Sequence, residues 1–275
     1  MRALVLLLPT IWLLAFVLVP LGIVLVIAFA TSTAEIPPFA LGFSGENFRQ
    51  LIADDFYFFA FLRSLQLAGV SSVFCLLIGY PMALAIARSP VRWRGALLTL
   101  VILPFWIGFL LRIIAWIGLL KDDGWINSFL GALGVPGAPF RLLYTGFAMY
   151  LGVAYCYLPF MFLPIYARLE KRDLALEEAA ADLGASPWRV FRAVTLPLSL
   201  PGVWAGFLLV FIPALGEFVI PELLGGPGAE TLGRVLWTEF FTNHDWPMAS
   251  ALAIFLLAVL LLPAALWQWW QGRRA

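Results

Sequence analysis

The sequence predicts an all-α protein that crosses a membrane about six times. Its 275 residues are 63 % hydrophobic and 12 % charged, with a mean hydropathy of +0.97. Soluble domains carry about 25 % charged residues, so this chain would be hard to keep in water. Its apolar stretches reach the length of about 20 residues that a helix needs to cross about 30 Å of hydrocarbon. They are continuous and do not alternate with period two, which favours helices over a β-barrel.

The runs fall at residues 9–29, 61–87, 96–120, 144–167, 203–224 and 248–269. The first needs a decision, because Arg2, an apolar run and a closing Ala-Thr-Ser-Thr-Ala resemble a secretory signal. Residues 3–30 are about twice as long as the apolar part of such a signal, so a retained first span is expected. Pro81, Pro104, Pro159 and Pro213 lie inside runs and are expected to kink them. Trp93, Trp267, Trp269 and Trp270 sit at run ends, where aromatic rings anchor in the headgroup zone. The expected organisation is a first helix and outer loop over 1–60 and a core transmembrane domain over 61–270. That core carries a cytoplasmic segment at 168–202, and a cytoplasmic tail follows at 271–275.

Basic residues set the orientation. Arg2, Arg88, Arg92, Arg94, Arg168, Lys171, Arg172, Arg189, Arg192, Arg273 and Arg274 fall on one side. Arg49, Arg63, Lys121, Arg141 and Arg234 fall on the other, among Glu35, Glu46, Asp54, Asp55, Asp122, Asp123, Glu230, Glu239 and Asp245. The positive-inside rule places the first set, and both termini, in the cytoplasm. The acidic outer face either suits a cationic visitor or simply marks where basic residues are selected against. A net charge of +1 implies no nucleic-acid partner. Cys75 and Cys156 lie in apolar runs and read as packing thiols. The single His244 does not make a metal site.

Residues 177–202, EEAAADLGASPWRVFRAVTLPLSLPG, form a polar island between runs. Residues 174–183 are good helix formers, with Glu177, Glu178 and Asp182 expected on the wet side. Gly184 fits a helix end, Ser186 an N-cap and Pro187 a first helical position. Arg189 and Arg192, three apart, share a face of the next helix. Leu196-Pro197 and Leu200-Pro201 are expected to break the chain before it re-enters the membrane. An interfacial loop that held only headgroups would be basic throughout, not acidic in its first helix.

Glu178-Ala179-Ala180, three residues, Gly184, nine residues, Val194, one residue and Leu196-Pro197 resemble the EAA motif of ABC importer permeases. That motif usually has Ile where this chain has Val194. The resemblance implies a type I importer fold and a coupling helix that docks into cytoplasmic ABC ATPase subunits. Glu178, Ala179, Ala180 and Gly184 are then docking contacts, and Arg189 and Arg192 are additions from this sequence alone. RSLQLAGVSSVFCLLIGYPMALAIA, LPFWIGFLLRIIAWIGLLKDDGWIN, YLPFMFLPIYARLEK and GEFVIPELLGGPGAETLGRVLWTEFF resemble permeases of spermidine/putrescine importers, from about Arg63 onward. This implies a small cationic solute moved by alternating access. It also implies a periplasmic or extracellular solute-binding protein and a second permease subunit that is a different chain.

Two ionisable residues fall within runs: Arg112 in the third and Glu217 in the fifth. A charge at the bilayer centre costs about 2.5–3.5 kcal/mol on insertion scales, so such residues face protein or a water-filled path. Glu217, with Glu222 nearer the outer end, would attract a polyammonium ion, and Trp106, Tyr155 and Tyr157 would add cation–π attraction. Alternatively, Arg112 and Glu217 pair and join two helices. No GxxxxGK[ST] segment occurs, and Gly225-Gly226-Pro227-Gly228 lacks the lysine of a phosphate loop. The chain is therefore not expected to be an enzyme or to hold a cofactor, and ATP is expected in the partner subunit. A secondary transporter would leave the island unexplained. A membrane enzyme would need an intramembrane His, Ser or paired carboxylates, and the one His lies outside the runs.

Overall fold

The computed structural model describes residues 2–272, with side chains over 7–262. The side chains of Arg2, Trp267, Trp269 and Trp270, and residues Arg273 and Arg274, lie outside that description. In chain order the elements are α1 Arg2–Ala28, β1 Thr31–Ser32, β2 Phe39–Ala40, α2 Glu46–Ala53, α3 Asp55–Arg88, α4 Val91–Ile102 and α5 Phe109–Leu120. They continue with α6 Trp125–Ala132, α7 Gly146–Glu170, α8 Leu174–Asp182, α9 Pro187–Val190, α10 Leu196–Leu215, α11 Val219–Leu224, α12 Leu232–Trp237 and α13 Trp246–Gly272. A 3₁₀ turn, Leu103–Trp106, and two π-turns, Phe191–Thr195 and Thr238–Thr242, interrupt the series.

Among the described residues, four stretches are long and apolar enough to cross a membrane: Leu7–Ala28, Asp55–Arg88, Gly146–Glu170 and Pro187–Leu215. The third run is helical but is not the single span expected over 96–120. Val91–Trp106 and Phe109–Ala132 meet at 86° and count as a fifth span only if taken together. Pro104 removes a backbone donor and the chain tightens into the 3₁₀ turn. The bend itself comes at Ile107 and Gly108, both extended (ψ 136° and 144°). The described apolar part of α13 is Trp246–Leu262.

The fifth run departs from expectation at both ends. Leu196-Pro197 does not break the chain, and Pro187–Leu215 continues without a gap. In the π-turn before it, the Leu196 N–H reaches back five residues to the Phe191 carbonyl. That wider turn accommodates a proline ring and its missing donor. At the far end α10 stops at Leu215, so Glu217 lies beyond the helix in a short break before α11.

The chain divides into two compact units. In the unit of residues 63–230, α3, α7 and α10 share a core around Cys75, Tyr80, Met161, Phe162, Ile165 and Val210. Gly202 and Gly206, one turn apart, lie directly on α7. A Cβ on Gly202 would meet the Pro164 carbonyl oxygen at 2.7 Å, and one on Gly206 the Met161 oxygen at 2.8 Å. Small residues at such spacing let membrane helices approach closely, where hydrophobic burial offers little. Hydroxyls satisfy one another inside this core. Tyr80 Oη and Ser199 Oγ are 2.9 Å apart, and Ser199 donates to the Leu196 carbonyl at 2.8 Å. Cys75 and Cys156 are buried free thiols.

In the unit of residues 1–62 and 231–275, α1 packs along α13. Asn47 on α2 donates to the Ala28 and Ala30 carbonyls, both at 2.9 Å, and so closes the end of α1. Leu51, Tyr57, Ala60, Leu232, Val235 and Leu252 form its core.

Gly206→Ala places a methyl within 2.8 Å of a backbone oxygen, and is expected to cost about 1–3 kcal/mol. Gly95 on α4 has nothing within 4 Å of its Cβ position, so Gly95→Ala is expected to gain up to about 1 kcal/mol. Thermal unfolding of the two variants in detergent should therefore shift in opposite directions.

Candidate functional site

The polar island begins where α7 ends. Arg172 bends back, its Nη1 donating to the Leu169 carbonyl at 2.7 Å. Asp173 then caps α8, accepting from the Ala175 N–H at 3.0 Å. The far end of α8 closes in a Schellman arrangement. The Ala185 N–H bonds the Ala180 oxygen at 3.1 Å and the Gly184 N–H bonds the Ala181 oxygen at 2.8 Å. Gly184 sits at φ +83° with nothing within 4 Å of its Cβ position. Glycine is required there by backbone hand, not by space. Ser186 is the N-cap residue of α9 but makes no side-chain cap bond, and Pro187 opens the helix.

No residue of α8 is buried. Glu178, Ala179 and Gly184 are exposed and Ala180 is half-buried. Leu183, 90 % exposed, and Trp188, 69 % exposed, flank them. Arg189 and Arg192 are also exposed, although Arg192 lies in the π-turn and not on a regular helix face. Trp188 stacks on Phe191 at 5.2 Å between ring centres. With Tyr80, Leu84 and Arg88 these rings line a recess of about 360 Å³ beside the exposed face.

Glu177 is where expectation and structure part. It is not on the wet side: its side chain is 15 % exposed. Its Oε1 accepts from Arg172 Nε at 2.9 Å and from Thr195 Oγ1 at 2.7 Å, and its Oε2 faces Arg88 Nη2 at 3.6 Å. The adjacency of two glutamates shows only that they diverge, not which of them turns inward. Successive helical residues point about 100° apart, so Glu177 and Glu178 do not share one face.

The candidate pathway residues fall into smaller groups. Glu217 is 6 % exposed. Its Oε2 accepts from Tyr157 Oη at 2.5 Å, and its Oε1 from the Val219 and Ile220 N–H groups at 2.9 and 3.3 Å. The carboxylate thus caps α11, whose Leu224 and Ile220 lie against Gly152 of α7. Arg112 lies on α5 with its Cζ 5.0 Å from the Phe105 ring centre and 5.8 Å from that of Phe109. Its Nε and Nη1 are buried without a hydrogen-bond partner. Tyr155 stacks on Phe105 at 5.8 Å and meets Trp116 edge-on at 5.5 Å. Trp106 is 78 % exposed on the 3₁₀ turn, and Glu222 is exposed on α11.

Apolar spans held together by small residues, with an ordered polar segment outside them, define a multi-pass membrane protein. The chain belongs to the family of binding-protein-dependent transport system inner membrane components, whose model matches residues 75–274. It is accordingly a permease of the bacterial inner membrane. It is 40 % identical over 251 residues to the spermidine/putrescine transport system permease protein PotB of Haemophilus influenzae, covering 91 % of this chain and 87 % of that one. Identity to PotB of Escherichia coli K12 is 38 % over 263 residues, covering 96 % and 94 %. The fold is that of a chain in a bacterial ABC transporter that imports the acidic polysaccharide alginate. The TM-score is 0.74 at 22 % identity, with 99 % of this chain and 95 % of the other covered.

The Tyr157 bond is to a buried carboxyl group that would lose a partner, so Tyr157→Phe is expected to lower stability by about 1–3 kcal/mol. Tyr155 is held by ring contacts instead, and Tyr155→Phe is expected to stay within about 0.5 kcal/mol of the parent protein. Chemical unfolding of the purified variants measures the difference.

Proposed function

We propose that this permease forms the translocation path for a small cationic solute of the putrescine and spermidine class, in an importer driven by ATP. Cytoplasmic ATPase subunits bind the nucleotide and dock on the exposed face of α8 through Glu178, Ala179, Ala180 and Gly184, with Arg189 and Arg192 beside them. A solute-binding protein delivers the solute from outside, and a second permease chain completes the path. Closure of the ATPases on ATP pushes the docking segment and changes which side the path faces.

The observation that carries this reading is an ordered helix that buries none of its residues. A segment fixed by two caps and a positive-φ glycine, yet turned outward along most of its length, is shaped for a partner protein. The extended similarity to spermidine/putrescine permeases supports the choice of solute. Attraction for a polyammonium ion would come from Glu217 and Glu222, with cation–π attraction from Trp106, Tyr155 and Tyr157. A solute bearing negative charge is the second reading, favoured by Arg112, whose Nε and Nη1 lack hydrogen-bond partners.

Glu178→Arg or Gly184→Trp is expected to abolish co-purification of the ATPase, and a retained ATPase would sink the docking assignment. Uptake of labelled putrescine into proteoliposomes, with its binding protein supplied, is expected to fall by about tenfold or more in Glu217→Gln. Unchanged uptake would remove Glu217 from the path. Uptake of an anion in place of putrescine, lost in Arg112→Gln, would select the second reading.

A further inference from the structure

We propose that Glu177 is the positioning residue through which the docking segment moves the spans. The inference rests on the docking role given to α8 above. Since the apolar side chains of α8 are exposed or at most half-buried, it has little apolar packing with which to push a neighbour. Its motion must pass through the chain at its two ends or through polar contacts. Among the described residues, every side-chain hydrogen bond from α8 to another element runs through the Glu177 carboxylate.

Its partners sit at the ends of three long helices. Arg172 follows α7 by two residues and is itself tied to the Leu169 carbonyl. Thr195, fully buried, is the residue before α10. Arg88 is the last residue of α3. These are the helices that share the core around Phe162 and Met161. Arg172 is 5 % exposed at its side chain, so the pair is shielded from water and holds its geometry better than a surface ion pair. Displacing α8 therefore displaces one carboxylate held at three helix ends at once. Glu178, one residue on, faces outward to the partner. Two neighbouring glutamates thus divide the work: one meets the ATPase and one meets the spans.

The test uses the complete importer in proteoliposomes, with labelled putrescine as the probe and ATP hydrolysis measured in parallel. Glu177→Ala is expected to keep the ATPase bound and hydrolysing, while solute moved per ATP falls by about tenfold, within the usual range of coupling between sites. Glu177→Gln, whose amide oxygen still accepts from Thr195 and Arg172, is expected to recover part of the loss. Thr195→Val, nearly isosteric, is expected to lower transport per ATP without lowering the amount of assembled complex. Undiminished transport per ATP in both Glu177→Ala and Thr195→Val would overturn the proposal, as would loss of the ATPase from Thr195→Val. If Glu178→Arg retains the ATPase, the docking role of α8 falls instead, and this inference with it.

Discussion

Where α10 crosses α7, no side chain separates the two backbones. Gly202 and Gly206 rest on the Pro164 and Met161 carbonyl oxygens, at distances that any Cβ would violate. Membrane helices have no hydrophobic reason to associate with one another rather than with lipid, so contact of this kind sets their positions. The rest of this unit follows from it. Fixing α10 on α7 places Thr195 near the end of α7, where it and Arg172 both donate to Glu177. At the opposite end it places the break after Leu215, from which Glu217 reaches Tyr157 on α7 and α11 reaches Gly152.

The two polar centres of that unit are built differently. At the island, Glu177 is matched by Arg172, Arg88 and a hydroxyl, while the neighbouring side chains of α8 face water. Deeper in, Glu217 receives a phenol and two backbone N–H groups. Arg112 instead lies against aromatic rings. Neutral donors therefore meet the Glu217 carboxylate, and π-faces meet the Arg112 guanidinium.

Much of the architecture was legible in the sequence, because apolar length and helix punctuation are local properties. Residues 174–184 form the predicted helix and its glycine stop, since Asp173, the alanines and Gly184 each act on their own neighbours. The third run departs from a single span because hydropathy does not register direction: 96–120 is apolar throughout, yet the extended Ile107 and Gly108 turn it sharply. Pro197 misled for the opposite reason. Its cost is absorbed by the preceding π-turn, a tertiary accommodation that no propensity reveals. In the candidate site, the outward position of Glu178 followed from the pattern. The inward position of Glu177 did not, because its partners come from residues 88, 172 and 195 and meet only after folding.

Gly184 occupies open space with a left-handed backbone. A position with room around it normally accepts slightly larger residues, but here any Cβ would cost about 1–2 kcal/mol, because the demand is stereochemical and indifferent to size. The turn is therefore strict in backbone hand even where it is loose in steric terms. A surface presented across it keeps its angle while the side chains on either flank remain free to change with the partner they meet.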